Sequence, residues 1–225
     1  MKHKFGIITF PGADFYDLKF ALQDILEQNV IEIWYQDSQI PNNIESIFVP
    51  SYAPVLPISH ITNSYVFQQL KHLAKNYFYL IALGNGLNLL WYLALMPGYL
   101  SQSANNNFIA KNQFVRVENR NTILTKNLDS ETAYRLPIAH QGGFTADPST
   151  ITEMRKNKQI ILRYCNSYGH PTVKSNPDNS AENIAGITNK NKNIFGIIPR
   201  IDLAVDDELG NTDGILFFNN LLNSL

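Results

Sequence analysis

Residues 77–90 place a buried strand, a tight turn and a helix in direct succession, and this segment constrains the fold of the chain most. It reads YFYLIALGNGLNLL. The aromatic and branched residues up to Leu83 favour a strand, and the Gly-Asn-Gly at 84–86 favours a turn. The apolar residues over 87–95 then favour a helix. A strand that passes through a short turn into a helix is typical of crossover connections, so the segment predicts an α/β fold.

The first half of the chain alternates strand-like and helix-like patterns. Apolar runs rich in branched and aromatic residues predict strands at 4–10, 30–34, 46–49 and 77–83. Apolar residues at helical spacing lie between them, at 15–26 and 65–73. Because helices between consecutive strands imply parallel strand pairs, this half predicts an open, mostly parallel sheet with flanking helices.

After Pro97-Gly98 the pattern changes to strands with few helical windows between them. The predicted strands lie at 114–117, 133–138, 159–165, 183–187 and 193–198. Such a run predicts an additional antiparallel or mixed section of the sheet. A last helix begins near residue 212, with Asp213 as its expected N-cap. The length fits one α/β domain that spans residues 1–225.

Composition and charge exclude several classes of function. The net charge is −1 and there is no long basic run, so neither nucleic acid nor an anionic membrane surface is expected as a partner. The apolar stretch 77–100 is long enough to cross a bilayer, but its Gly-Asn-Gly favours a turn, so no membrane span is expected. A single cysteine, Cys165, excludes an intrachain disulfide, and no secretory signal is visible. We therefore expect a cytoplasmic protein.

The strand, turn and helix at 77–90 have the architecture of a nucleophile elbow. Such an elbow exposes a Cys or Ser above the carboxyl ends of the sheet, where the helix N-terminus favours a thiolate or an oxyanion. Gly84 stands at the tip and has no side chain, whereas Gly86 meets the need for a small residue beside a nucleophile. The segment is therefore either an acyl-transfer scaffold without its nucleophile or simply a glycine-rich turn.

Other side chains with catalytic chemistry lie elsewhere in the sequence. Cys165 ends a predicted strand, and a lone buried cysteine is usually inert. His140 is expected to follow a strand, and it precedes the pair Gly142-Gly143, which suggests a loop at a pocket. A hydrogen-bonded structural histidine is an equal alternative. We predict neither a metal site nor a cofactor.

Seven short motifs occur in order along the chain and point to a family. They are FPG at 10–12, PIAH at 137–140, RYC at 163–165, NP at 176–177, NIAGI at 183–187, GIIP at 196–199 and GNTDG at 210–214. Together they resemble the glutamine amidotransferase subunit of bacterial phosphoribosylformylglycinamidine synthase, an enzyme of purine synthesis. The resemblance extends from the first strand to the last helix.

The resemblance implies a class I glutamine amidotransferase fold, an open α/β sheet with a Cys-His-Glu triad. In that family the cysteine attacks the side-chain amide of glutamine, and the ammonia passes to a large synthetase subunit. The synthetase uses ATP to convert formylglycinamide ribonucleotide to the amidine, and a small third subunit helps assembly. The implied partners are therefore the large synthetase subunit and the small assembly subunit.

The residues that carry this chemistry are missing at the matching positions. Gly84 replaces the nucleophile, Arg200 replaces the base and Asp202 replaces the orienting glutamate. The family's glycine-rich oxyanion loop becomes SYAPV at 51–55, in which Pro54 has no N–H. No catalytic residue is therefore expected to be intact. The former glutamine pocket is expected to retain four positions, Ser51, Asn85, Gly86 and His140.

These losses predict a folded scaffold without glutaminase chemistry, since arginine is no base near neutral pH and glycine cannot attack an amide. The first hypothesis is a non-catalytic structural or regulatory partner of the synthetase. The alternative is a repurposed pseudoenzyme, which binds a small anionic metabolite through Arg200 or another protein through the former pocket. A residual glutaminase with an unrelated nucleophile is least favoured. The sequence leaves open whether Arg200 instead pairs with Asp202 and closes the pocket.

Overall fold

A large sheet dominates the computed structural model, which describes residues 2–75, 78–101 and 108–225. The strands in the described residues are β1 Lys4–Thr9, β2 Ala13–Asp14, β3 Asn29–Trp34, β4 Ser46–Val49, β5 Ser51–Tyr52, β6 Tyr79–Leu83, β7 Tyr99–Leu100, β8 Phe108–Val117, β9 Tyr134–Gln141, β10 Phe144–Thr145, β11 Ile160–Cys165, β12 Ile184–Thr188 and β13 Ile194–Ile197. The α-helices there are α1 Tyr16–Phe20, α2 Ile58–Thr62, α3 Tyr65–Leu73, α4 Gly86–Tyr92, α5 Pro148–Lys156 and α6 Asp213–Leu222, and a π-helical turn over Ala21–Ile25 extends α1.

Nine of the described strands form this sheet, in the order β3-β1-β4-β6-β13-β12-β11-β8-β9. The pairs from β3 to β13 are parallel, and the pairs from β13 to β9 are antiparallel. The predicted α/β fold, with a parallel part and an additional antiparallel section, is therefore confirmed. The strand predicted at 77–83 is β6, and Tyr77 lies outside the described residues.

The central strands are buried along their whole length. Every residue of β4 and β13 is buried, as are the last five residues of β1. Their near-continuous apolar sequences are what parallel strands need when both faces of the sheet are covered. The turn at 84–86 divides the apolar stretch that follows residue 78 between β6 and α4. Within the described ranges, the chain has no helix of the length and apolarity that a membrane crossing requires.

Two local predictions are wrong. Helix α5 lies between the strands predicted at 133–138 and 159–165, in a region where no helix was predicted, because only Ile151 and Met154 among its residues are buried and its helical signal is weak. The N-cap position of α6 is Thr212 and not Asp213. The Asp213 carboxylate instead accepts a hydrogen bond from the backbone N–H of Arg135, with the oxygen and nitrogen 2.6 Å apart.

The carboxyl ends of β1, β4, β6 and β13 meet at one edge of the sheet, because β4 pairs in parallel with β1 and β6, and β6 with β13. Residues that follow these strands are therefore brought together. They include Asp14 after β1, Ser51 after β4, Gly84 after β6 and Arg200 after β13. Ligands of open α/β sheets bind at this edge, so it is the place to look for a functional site.

Candidate functional site

Gly84 has the backbone geometry of an elbow. Its φ is +50°, in the left-handed region that favours glycine. Its N–H donates to the carbonyl of Ile197 at 2.8 Å, and α4 begins two residues later at Gly86. The sharp turn from strand to helix is therefore retained, although the side chain at its tip is absent.

Gly86 is required by the close approach of α4 to the end of β4. A Cβ at this position would lie 2.6 Å from the carbonyl oxygens of both Val49 and Pro50. These oxygens belong to the backbone and cannot rotate away as a side chain could, so any larger residue would require α4 to shift. The side-chain amide of Asn85 donates to the carbonyl of Tyr52 at 3.3 Å. Two of the expected pocket positions thus join the elbow to the segment after β4.

Two side chains occupy the space above Gly84. A Cβ built at Gly84 would lie 2.8 Å from Ser51 Oγ and 3.8 Å from Arg200 Cδ. Ser51 is 5% exposed and Arg200 is 2% exposed, so both are buried over the elbow. A cysteine at the tip would collide with Ser51 unless Ser51 moved. Ser51 and Arg200 therefore lie directly against the tip of the elbow.

Arg200 is held by carboxylates from two segments. Its Nε donates to Asp202 Oδ1 at 2.8 Å and its Nη2 to Asp202 Oδ2 at 2.7 Å, which makes a bidentate pair. Its Nη1 donates to Asp14 Oδ2 at 2.5 Å. Nη2 also lies 3.9 Å from Asp17 Oδ2. The sequence left open whether Arg200 binds a ligand or pairs with Asp202, and in the structure it pairs with Asp202.

Negative charge is in excess around Arg200. Burial alone lowers the pKa of Arg200, but the charge and hydrogen bonds of Asp202 and then Asp14 outweigh it and raise the pKa above its ordinary value. Burial, followed by the charges of Asp14 and Asp202, raises the pKa of Asp17 against the opposing charge of Arg200. Three carboxylates thus surround one guanidinium. This surplus repels a further anion, so a small anionic metabolite on Arg200 is disfavoured.

The segment that corresponds to the oxyanion loop is paired as a strand. β5 pairs antiparallel with β2. The N–H of Ala53 donates to the carbonyl of Gly12 at 2.8 Å, and the N–H of Val55 donates to the carbonyl of Ala53 at 2.8 Å. Pro54 between them has no N–H. Residues 53–55 therefore have no N–H left to offer to an oxyanion.

His140 lies inside β9, so the prediction that it follows a strand is wrong. The pairing of β9 with β8 places Ile109 opposite His140 and extends the strand to Gln141. The His140 ring is fully buried, and its Nε2 lies 2.8 Å from Asp178 Oδ2. This bond joins His140 to Asp178 rather than to Gly84 or Arg200, which fits the structural alternative. Its membership of a glutamine pocket stays a prediction.

Cys165 is a core residue. It ends β11 with no exposed surface, and burial raises the pKa of its thiol to about 11 although the charge of Arg116 opposes this. A neutral, enclosed thiol cannot replace the missing nucleophile. Within the ranges that the structure describes, no group of three or more His, Cys, Asp or Glu side chains could hold a metal ion.

Sequence reasoning missed three carboxylates that matter here. Asp14 and Asp17 complete the Arg200 cluster. The sequence indicated this only through their position just after β1, a strand that pairs with β4. Asp178 was missed because it lies in a polar loop that no periodicity marks. The role of such carboxylates becomes evident only in the folded structure, where they contact a buried cation or a histidine.

The chain matches a family model and several curated relatives. Residues 56–212 match the CobB/CobQ-like glutamine amidotransferase domain. The PurQ subunit of phosphoribosylformylglycinamidine synthase from Acaryochloris marina is 36% identical over 99% of this chain and 97% of its own length. The corresponding subunit from Aquifex aeolicus is 32% identical over 98% of this chain and 99% of its own.

Solved structures share the fold. The structure of PurLQS from Thermotoga maritima contains a chain with a TM-score of 0.81 at 24% identity, which covers 100% of this chain and 99% of that one. A glutamine amidotransferase from the same organism gives a TM-score of 0.58 at 11% identity, over 98% of this chain and 90% of that one. The family model matches residues 56–212, and these relatives align over nearly their full length. This chain belongs to the glutamine amidotransferase family, among the PurQ subunits of phosphoribosylformylglycinamidine synthase.

Proposed function

We propose that this chain is a glutaminase-like subunit of phosphoribosylformylglycinamidine synthase that does not hydrolyse glutamine and instead serves the synthetase as a structural or regulatory partner. The observation that carries the proposal is the closed elbow. Ser51 and Arg200 fill the space over Gly84, and Asp202 holds Arg200 in place. The relatives, which are PurQ subunits, supply the pathway.

Amide hydrolysis on this scaffold needs a nucleophile and a base, and neither is available. Gly84 has no side chain, and Arg200 stays protonated under all conditions in which proteins fold. Asp202, at the orienting position, accepts hydrogen bonds from Arg200. Loss of a catalytic triad typically lowers the rate on the order of a million-fold, so we expect no glutamine turnover.

Ser51 is the hydroxyl that lies over the elbow tip, and it is not equipped to replace the cysteine. Serine is a weak nucleophile unless an adjacent base takes its proton. The carboxylates that face this site, Asp14 and Asp202, are bound to Arg200. The structural role of Ser51, to fill the space that Gly84 leaves, accounts for its position without chemistry.

The proposed partners follow from the relatives. The chain aligns over nearly the full length of the PurQ subunits, and a PurLQS assembly contains a chain of the same fold. We propose that this chain docks on the large synthetase subunit together with the small assembly subunit, in the cytoplasm. The synthetase would then use ammonia from solution or from another glutaminase.

The alternative function is binding of another molecule at the former glutamine pocket. The charges around Arg200 limit which class of molecule can bind there. The guanidinium is enclosed and outnumbered by carboxylates, which disfavours a small anion as the ligand. Tyr16 is 74% exposed beside the half-exposed Asp14 and Asp17. Exposed tyrosine is typical of protein interfaces, so this alternative is a protein partner that binds the surface around Tyr16.

Sedimentation velocity tests the proposed docking. The purified chain is mixed with its cognate large synthetase subunit, with and without the small assembly subunit. We expect a stable complex at micromolar concentration. Free sedimentation of the chain under these conditions would break the link to the synthetase and leave the repurposed surface as the better account.

Ammonia release from glutamine tests the loss of chemistry. We expect only background release from the chain, alone or in the complex. Gly84→Cys should stay inactive because Ser51 and Arg200 occupy the space of the thiol, and Gly84→Ala is the matched control with the same Cβ. Release by the unmodified chain that Ser51→Ala abolishes would contradict the proposal and identify a serine nucleophile.

A further inference from the structure

A groove lies where β8 and β11 meet the end of α5. β12 and β13 separate β11 from β6 in the sheet, so the groove lies to the side of the elbow. Its lining includes Ile160, the first residue of β11. The groove has a volume of about 540 Å³, within the range of small-molecule sites. Buried Met154 and Ile160 give it an apolar floor.

Four basic side chains from three segments line this groove. They are Arg120 after β8, Arg155 and Lys158 at the end of α5, and Arg163 on β11. The acidic lining residue is Glu118, and Glu182 pairs with Arg155 and Arg163 from beside it. Four cations thus face three nearby carboxylates, because Asp129 also interacts with the charge of Arg120, on a chain whose net charge is −1. Positive charge is concentrated here by the fold.

The ion pairs of the groove are long, although its arginines have other contacts. Arg155 Nε lies 3.5 Å from Glu182 Oε1, and Arg163 Nε lies 3.5 Å from Glu118 Oε2, whereas charge-assisted hydrogen bonds are about 2.7–2.9 Å long. Arg163 Nη1 also donates to the carbonyl of Glu182, and Arg120 Nη2 donates to the carbonyl of Lys126 at 3.3 Å. Arg155 Nη2 donates to Thr152 Oγ1 at 3.2 Å, but the side chain of Arg155 is 54% exposed and has five N–H groups, so it retains donors for a ligand.

We propose that this groove binds a phosphomonoester, with the phosphate against Arg120, Arg155 and Lys158 and the organic part over Met154 and Ile160. The planar fork of a guanidinium matches two phosphate oxygens. A phosphomonoester carries roughly two negative charges near neutral pH, which the surplus positive charge of the groove attracts. The residues that line this site are different from those at the elbow, and the proposal does not depend on docking to the synthetase.

Calorimetric titration of the full chain tests this site, with phenyl phosphate and inorganic phosphate as the probes. We expect phenyl phosphate to bind more tightly, because its ring covers the apolar floor, and both affinities to fall with salt. Arg155→Gln and Lys158→Gln should each weaken binding roughly tenfold, the size expected for one hydrogen bond to a charged group. Lys75→Gln removes an exposed charge just after α3 and is the matched control.

Three results would overturn the proposal. One is the absence of saturable binding of phenyl phosphate at millimolar concentration. Another is that Lys75→Gln weakens phosphate binding as much as Arg155→Gln and Lys158→Gln do, which would show that the effect is general charge attraction. The third is binding of a hexaglutamate peptide without binding of phenyl phosphate, which would reassign the groove to an acidic protein segment. Circular dichroism of each variant ensures that lost binding is not lost folding.

Discussion

At the scale of single residues, Arg200 and Asp202 form one compensated pair. A buried charge without a partner costs several kcal/mol, because it loses its hydration. Arg200 is 2% exposed, and the bidentate bond with Asp202 satisfies it. Each residue therefore makes the other tolerable in a buried position. We propose that the same pair keeps the elbow closed.

Arg200→Met should destabilise the chain by about 3–5 kcal/mol, because it leaves Asp202 buried and unpaired. The double variant Arg200→Met with Asp202→Leu should lose less than Arg200→Met alone. Urea unfolding of the unmodified chain, both single variants and the double variant measures this coupling. Strictly additive losses would show that the two residues do not act as a pair.

Asp17→Asn should stabilise the folded chain near neutral pH. The pKa of Asp17 is raised on folding, chiefly by burial and then by Asp14 and Asp202, so its ionised form is the costly one. Stability from this group is complete below its unfolded pKa and is lost as the pH rises through the folded pKa. We therefore expect a rise of the melting midpoint by about 1 °C at pH 7 that vanishes in acid. A benefit that is unchanged in acid would contradict this cause.

At the scale of elements, the turn between β6 and α4 has the backbone geometry of a nucleophile elbow. α4 lies so close to the end of β4 that Gly86 has no room for a side chain. Gly84 keeps the left-handed φ of an elbow. The segment after β4 pairs with β2, and the N–H groups of Ala53 and Val55 bond within the chain. The elbow is therefore packed closely against the end of β4.

Gly86→Ala should cost about 3 kcal/mol or more, because its Cβ would meet two backbone carbonyls at 2.6 Å. Gly210→Ala is the control, since a Cβ there has nothing within 4 Å and only the positive φ of +74° opposes it. We expect the control to cost about 1 kcal/mol. Thermal unfolding compares the two, and equal losses would argue against the close contact of α4 with β4.

Periodicity predicted the parallel half of the sheet because each strand there is a continuous apolar run between helical patterns. It missed α5, whose buried residues are only Ile151 and Met154. The turn at 84–86 could be predicted from its glycines, whereas the loss of a nucleophile at Gly84 stays a prediction. The partners of Arg200 could be predicted only in part. Asp202 is two residues away, but Asp14 is 186 positions distant and reaches Arg200 through the fold.

At the scale of the whole molecule, two regions of the sheet differ in charge. Carboxylates surround one guanidinium at the elbow, and four basic side chains line the groove beside β8 and β11. Strands from both halves of the chain share the sheet, so we propose that the chain acts as one domain. The proposed phosphate site and the elbow are then two separate regions of that domain.

Amidine formation by the reconstituted complex tests the central claim most directly. The complex contains this chain, the large synthetase subunit and the small assembly subunit, and receives either glutamine or an ammonium salt as the nitrogen source. A closed elbow predicts turnover with ammonium and none with glutamine. Turnover with glutamine that disappears when this chain is left out would contradict the account.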